Sequence, residues 1–382
     1  MASAPKKSTS RANARIPVTL VTGFLGSGKT TIINAALRAP EMAKTVVIVN
    51  EFGEIGLDHQ LVTTSSDQVM VLENGCLCCT VRSDLVGTLN GLYHDRAAGR
   101  IPEFTHVVIE SSGLAEPGPI MQAFLSEPTL DGLFRVATVI TLVDVVNWKG
   151  TAERHDEALR QVAFADKILL SKLELATDAG AEAAARADIA DLNPTAQIMP
   201  IDLSPKFVAE LLTAPGFDAA DPSADPRPWL KLTEHLGDHH HHDHDHDHSG
   251  HDAHYHLRGK GVESFVLLRE TPLSREELSF LLDGISQNLG SGLLRVKGLV
   301  NIAGEPEKPA VIQGAQHLLH TMTWLERWPD EDHRTRIVFI TQGITGKELR
   351  EIVELLDRVG QRTFKAREKA KLIEEASKRL AG

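Results

Sequence analysis

The chain has 382 residues, 24% of them charged and 42% hydrophobic, and a formal net charge of −12 at pH 7. That length can bury more than one core and favours two or three domains. No apolar run reaches the roughly 18 residues that a membrane-spanning helix needs, and the acidic balance argues against a protein that tracks nucleic-acid phosphates. Neither a membrane nor a nucleic acid is expected as a partner.

Residues 1–15, MASAPKKSTSRANAR, are basic and polar without the apolar core of a secretory signal, so a short disordered tail is expected there. From Ile16 to 215, short β-branched runs alternate with helix-compatible stretches. The runs are IPVTLVT from Ile16, TVVIVN from Thr45, QVMVL from Gln68, HVVIE from His106, VATVITLVD from Val136, KILLS from Lys167 and QIMPI from Gln197. Runs of this kind suit strands buried on both faces. Helical patterns fall at 30–38, 152–164 and 179–192. The alternation predicts an α/β, doubly wound, mostly parallel sheet with its sites at the carboxyl ends of the strands. From 216 to 260 the chain becomes rich in proline and then in histidine and aspartate, which reads as a flexible linker. The pattern resumes at Gly261 with a strand, a helix over SREELSFLLDGISQ, strands around LLRVKGLVNIAG, AVIQGAQHLLH and TRIVFITQG, a helix from Lys347 and a charged final helix from Arg362. A second, smaller α+β domain is predicted over 261–382.

Gly23-Phe-Leu-Gly26-Ser27-Gly28-Lys29-Thr30 fits G-x-x-x-x-G-K-[ST], follows the first apolar run and opens a helical pattern. The glycines free backbone N–H groups to surround phosphates, and the helix N-terminus adds positive potential. Lys29 would reach the β- and γ-phosphates, the Thr30 hydroxyl would hold Mg²⁺, and Ser27 and Thr31 complete the candidate phosphate contacts. A second strand ends in Glu110-Ser-Ser-Gly113. Its carboxylate is a candidate for Mg²⁺ or the waters on it, and the Gly113 N–H for a γ-phosphate. Ser171-Lys172-Leu-Glu174 ends a third strand where GTPases carry [NST]-K-x-D. Glu174 can accept the two guanine N–H bonds from one methylene further out, so guanine is favoured over adenine.

All three cysteines fall within ENGCLCCT, at Cys76, Cys78 and Cys79. No distant thiol exists to pair with them, which suits a reducing, cytoplasmic setting. They lie between a strand and a helical pattern, where backbone dipoles favour thiolate, the form that binds Zn²⁺ or Co²⁺. Adjacent thiols can also do redox chemistry, but the spacing is not C-x-x-C. Metal binding leads, with further ligands coming from elsewhere in the chain. Residues 238–256 add His239, His240, His241, His242, His244, His246, His248, His251, His254 and His256. Such a tract cannot build a core; it is either a solvated linker or a metal-capturing one, whose affinity falls as imidazoles protonate near pH ~6.5.

TGFLGSGKTT, NEFGEIGLD, ENGCLCCT and ESSGLAEPGPI, in this order, resemble the CobW-like GTPases, and LLRVKGLVNI is similar to that family's C-terminal domain. The resemblance implies a P-loop GTPase, with GTP and Mg²⁺ as ligands and slow intrinsic turnover, that acts as a metallochaperone for a client metalloprotein. It implies that 50–58 is a mobile switch and that Glu54 is an additional metal ligand. Zinc is the favoured metal. Cobalt delivery for cobalamin synthesis or nitrile hydratase, a histidine-rich metal store, a thiol redox sensor, and homo-oligomerisation stay open at this point.

Overall fold

The β-branched runs form one twisted sheet because each is apolar on both faces and must be covered twice. In a computed structural model of the chain, the described residues are 15–50, 61–63, 69–74, 81–178, 180–218, 221, 224–230, 261–316, 318–319 and 322–380. The chain divides into two compact units, Met1–Leu257 and Arg258–Gly382.

In the first unit the strands are β1 (Ile16–Gly23), β2 (Thr45–Asn50), β3 (Leu61–Thr63), β4 (Val69–Asn74), β5 (His106–Glu110), β6 (Phe134–Asp144), β7 (Lys167–Ser171) and β8 (Gln197–Pro200). Their order is β3-β4-β2-β5-β1-β6-β7-β8. Only the edge strand β3 runs antiparallel, against β4; every other described pair is parallel. The chain leaves β1 towards β2 on one side and reaches β6 on the other only after β5. The order therefore reverses at β1, and a crevice opens at the carboxyl ends of β1, β5 and β6. Gly23, Glu110, Asp144 and Ser171 all sit on that rim.

Helices cover both faces: α1 (Lys29–Ala36), α2 (Val81–Ala97), α3 (Pro117–Ser126), α4 (Trp148–Arg154), α5 (Asp156–Phe164), α6 (Ala181–Leu192) and α7 (Pro205–Thr213). Helix α1 buries Lys29, Ile32, Ile33 and Ala36, the i, i+3, i+4, i+7 stripe of a half-buried helix. That stripe meets Val21, Val47, Val108 and Ile140 of the sheet and Val208, Ala209 and Leu212 of α7. The helix expected over 152–164 is two, because His155 adopts extended angles (φ −129, ψ 106) between α4 and α5. The described part of the stretch expected as a linker from 216 packs on the first unit. Phe217 stacks on Trp229 with ring centroids 4.6 Å apart, Trp229 and Leu230 are buried, and Asp218 pairs with Arg135 at 3.2 Å.

The second unit has β9 (Val262–Arg269), β10 (Leu293–Val300), β11 (Ala310–Ala315), β12 (Leu318–Leu319), β13 (Thr323–Trp324) and β14 (Thr335–Gln342), ordered β12-β11-β10-β14-β9 and antiparallel throughout, with β13 on β11. Helix α8 (Arg275–Leu289) starts with a capping box: Ser274 Oγ accepts from Glu277 N, and Glu277 Oε2 accepts from Ser274 N. Leu278, Leu281 and Ile285 pack on Val296, Ile312, Ile337 and Phe339 of one sheet face, joined by Leu349 and Val353 of α9 (Gly346–Leu380). Two differences from the sequence reading stand out. AVIQGAQHLLH is a hairpin, β11 and β12, reversing at Gln316 (φ 54). The two C-terminal helices are one, since 346–380 has no proline and Gly360 is buried against Phe280 and Glu277.

Candidate nucleotide site

Strand β1 gives way to the helix through a loop that only glycine can close at its first position. Gly23 has φ +139, and a Cβ there would fall 2.5 Å from the Leu142 carbonyl oxygen. Gly26 (φ +71) and Gly28 (φ +101) complete the wrap, and Gly28 is the N-cap of α1. Lys29 turns back over the loop. Its Nζ donates to the carbonyls of Gly23 (2.8 Å) and Phe24 (3.1 Å), and burial lowers its pKa while the Glu110 carboxylate opposes that shift. An ammonium held on the loop carbonyls at the N-terminus of α1, beside a backbone that glycines keep free of side chains, is the arrangement that binds the phosphates of a nucleotide.

Thr30 Oγ1 donates to Glu110 Oε1 at 2.7 Å, joining the first turn of α1 to the buried end of β5. The two residues proposed from sequence for the same ion are therefore adjacent, and both present hard oxygens of the kind Mg²⁺ takes. Thr31, the next residue of α1, is exposed. Past Glu110, Ser111 Oγ donates to Thr22 Oγ1 (2.9 Å), and Gly113 comes so close to the phosphate loop that a Cβ would lie 2.8 Å from Leu25 N. Only a residue without a side chain fits that approach.

The third expected segment is tied to the first. Ser171 Oγ donates to the Ser27 carbonyl at 2.8 Å and lies 3.2 Å from that of Val143, so the tetrapeptide expected to select the base and the phosphate loop are held together. Lys172 sits in the left-handed region (φ 62) with its Nζ 2.6 Å from Asp144 Oδ2. Glu174 is exposed on the single turn Leu173–Leu175.

Two further residues of the site belong to none of the sequence motifs. Asp144 ends β6; besides Lys172 it accepts from Val146 N (3.0 Å), Asn147 N (3.2 Å) and Asn147 Nδ2 (2.8 Å). Burial raises the pKa of its carboxyl, but those donors, Lys172 foremost, outweigh it and hold the group below the usual carboxylate range. Gln161, buried in α5, donates from Nε2 to the carbonyls of Gly113 and Ala115. Both residues line a cavity of about 260 Å³ beside the phosphate loop, whose wall includes Phe24 and His155 in a tilted ring contact at 4.5 Å.

Glu54, Cys76, Cys78, Cys79 and His239, His240, His241, His242, His244, His246 and His248 lie outside the described residues, as does the 51–58 part of the expected switch. Among the described residues no group of three or more His, Cys, Asp or Glu side chains is arranged to hold a metal ion.

A glycine-rich strand-to-helix loop with a buried lysine, and a carboxylate on the neighbouring parallel strand bonded to the first-turn threonine, define a P-loop nucleotide-binding protein. Residues 17–200 match the family described as "CobW/HypB/UreG, nucleotide-binding domain", and 262–356 match "Cobalamin synthesis protein cobW C-terminal domain". The chain belongs to this CobW family. Zinc chaperone YjiA of Escherichia coli (strain K12) is 31% identical over 335 residues, spanning 88% of this chain and 96% of that protein. Zinc-regulated GTPase metalloprotein activator 1 of Dictyostelium discoideum is 29% identical over 330 residues, 77% of this chain and 64% of that one. The crystal structure of Zn(II)-bound YjiA GTPase from E. coli aligns with a TM-score of 0.65 at 28% identity, covering 90% of this chain and 99% of that chain.

Proposed function

We propose that this chain is a GTP-hydrolysing metallochaperone, which carries zinc at Cys76, Cys78 and Cys79 and hands it to a client protein under nucleotide control. The observation that carries this reading is the common rim of the parallel strands. Asn74 ends β4 in register with Asn50 at the end of β2, and β2 pairs in parallel with β5, which ends at Glu110. The chain thus leaves the sheet towards its three thiols on the edge that holds the phosphate loop, with Cys76 two residues beyond Asn74. On this reading metal and nucleotide share the 50–58 segment, with Glu54 joining the thiolates when a triphosphate is bound. Hydrolysis then relaxes the segment and weakens the grip on the ion. The names of YjiA and of the Dictyostelium activator support zinc as cargo and GTP as substrate.

Mg²⁺ fits the oxygen pair of Thr30 and Glu110, where it would neutralise charge on the bridging phosphates. Guanine is read by Glu174, with Lys172 beside it. The histidine tract falls between the two family matches, which supports a linker that captures metal ahead of the thiols. Co²⁺ is the second metal that the same thiolates would accept. The reading places the protein in the cytoplasm, where thiols stay reduced; no described helix is long and apolar enough to cross a membrane.

Metal competition titrations with a non-hydrolysable GTP analogue and with GDP test the coupling. Zinc affinity is expected to be higher in the triphosphate state by about 5- to 150-fold, the range of ordinary allosteric coupling. Equal affinities in both states sink the switch.

A further inference from the structure

Gln161 sits in α5 between Ala158 and Val162, both buried, at a position where the helix pattern calls for an apolar side chain. It is 1% exposed. Its Nε2 donates to two backbone carbonyls, those of Gly113 and Ala115, each at 3.0 Å. These belong to the turn between Glu110 and α3, the same turn that brings Gly113 against Leu25 of the phosphate loop. The other end of the tether is fixed as well, since Thr141 Oγ1 on β6 donates to the Gln161 carbonyl at 2.8 Å. The Gln161 Oε1 is buried and has no hydrogen-bond partner among the described residues. A methionine would fill the space without stranding an acceptor, so what the amide alone supplies is its pair of N–H donors.

We infer that Gln161 is a positioning residue for the triphosphate, holding the 113–115 backbone through two carbonyls so that the Gly113 N–H meets the γ-phosphate. This rests on the reading of Gly113 as a γ-phosphate contact. A diphosphate does not reach that N–H, so the tether serves GTP and leaves GDP binding alone. Gln161 touches no reacting atom; it acts through the turn it holds.

The test compares the full-length wild type with Gln161→Met, which keeps the bulk but has no donors, and with Gln161→Glu, which sets a carboxylate against the two carbonyls. Titration with fluorescent GDP and a fluorescent non-hydrolysable GTP analogue is paired with amide hydrogen exchange across 111–116. In the wild type the analogue is expected to protect that turn beyond what GDP does. Q161M is expected to lose that extra protection and about ten-fold or more in analogue affinity, with GDP affinity held within about two-fold. Q161E is expected to show the same split, more strongly, and Gln161→Asn serves if Q161M does not fold. Equal losses for both nucleotides, or none, overturn the inference while leaving the Gly113 reading in place. Absence of extra protection in the wild type removes that reading and the tether with it.

Discussion

Thr30 and Glu110 stand 80 residues apart in sequence and share a 2.7 Å hydrogen bond, with the hydroxyl donating to the carboxylate. The contact links the first turn of α1 to the last residue of a wholly buried strand. A buried carboxylate is costly unless donors or a cation compensate it; here the Thr30 hydroxyl and the Lys29 charge do so, and under the Mg²⁺ reading the ion would add to them. Glu110→Gln keeps the shape and can still accept from Thr30, but it removes the charge. GTP turnover is expected to fall about a hundred-fold under single-turnover conditions, and the Mg²⁺ concentration for half-maximal rate is expected to rise. An unchanged rate in excess Mg²⁺ would make Glu110 an acidic strand end and nothing more.

The phosphate loop was legible because its chemistry is local: the glycines, the lysine and the flanking strand and helix all fall within one short stretch. The strands of the first unit were legible for a related reason, since burial on both faces leaves continuous apolar runs. The role of Gln161 was not, because a glutamine in an amphipathic helix reads as solvated, and only the crossover of β5 and β6 about β1 brings it under Gly113. Asp144 was visible as a strand end but not as the partner of Lys172, a contact created by the parallel register Asp144↔Ser171. The break at His155 and the reversal at Gln316 escaped a periodicity argument for the opposite reason. Each is marked by backbone angles at one described residue, His155 or Gln316, which leave no trace in the side-chain pattern.

Asp144→Asn tests how base selection is built. Lys172 holds its left-handed backbone and its ion pair together, and the pair is mostly shielded, with side-chain exposures of 32% and 13%. Loss of the charge frees the ammonium group to swing away from the place proposed for the base. The expected result is a drop of about five- to ten-fold in GTP affinity, in keeping with one charge-assisted bond. Preference over ATP is expected to narrow by the same factor, and the folded state to be little affected. Competition of GTP and ATP against a fluorescent GDP measures both; a loss of affinity without loss of preference would mean that Asp144 supports the loop and not the base.

His106 gives the first unit a pH-dependent stability. The ring is buried at the start of β5, with Nε2 3.0 Å from Thr19 Oγ1. Burial first, and the Arg135 guanidinium second, push its pKa down to about 4, against a smaller opposing effect of a hydrogen bond with the Leu212 backbone. The unfolded chain takes up a proton below the ordinary value of 6.5, whereas the folded one resists until about 4. Stability is therefore full above the unfolded value and is lost as pH falls through that window. Linkage puts the loss between about pH 7 and about pH 5 at about 2 kcal/mol. Urea unfolding at the two pH values, compared with His106→Asn, measures it. The variant is expected to be less stable at neutral pH and flatter with acidification, and a parallel decline in both proteins would assign the pH response to other groups.

The thiols and the histidine tract can be separated by what each is expected to couple to. Replacing Cys76, Cys78 and Cys79 with serine removes the soft ligands and leaves the loop from Gly23 to Thr30 intact. Zinc stoichiometry is expected to fall, the affinity difference between GTP-analogue and GDP states to vanish, and GDP affinity to hold. Deletion of 238–256 is expected to remove weaker sites only, with the nucleotide-linked site retained. Acid distinguishes them again, because imidazoles near pH ~6.5 release metal under mild acidification while zinc-bound thiolates are expected to hold it further down. Zinc release followed with a chelating dye in the GTP-analogue state, from about pH 7.5 to about pH 5, is expected to show two phases in the full chain and one in each variant. If the serine variant keeps its nucleotide-dependent phase, the gripping ligands lie elsewhere in the chain, and the coupling between triphosphate and thiolate is lost as an explanation.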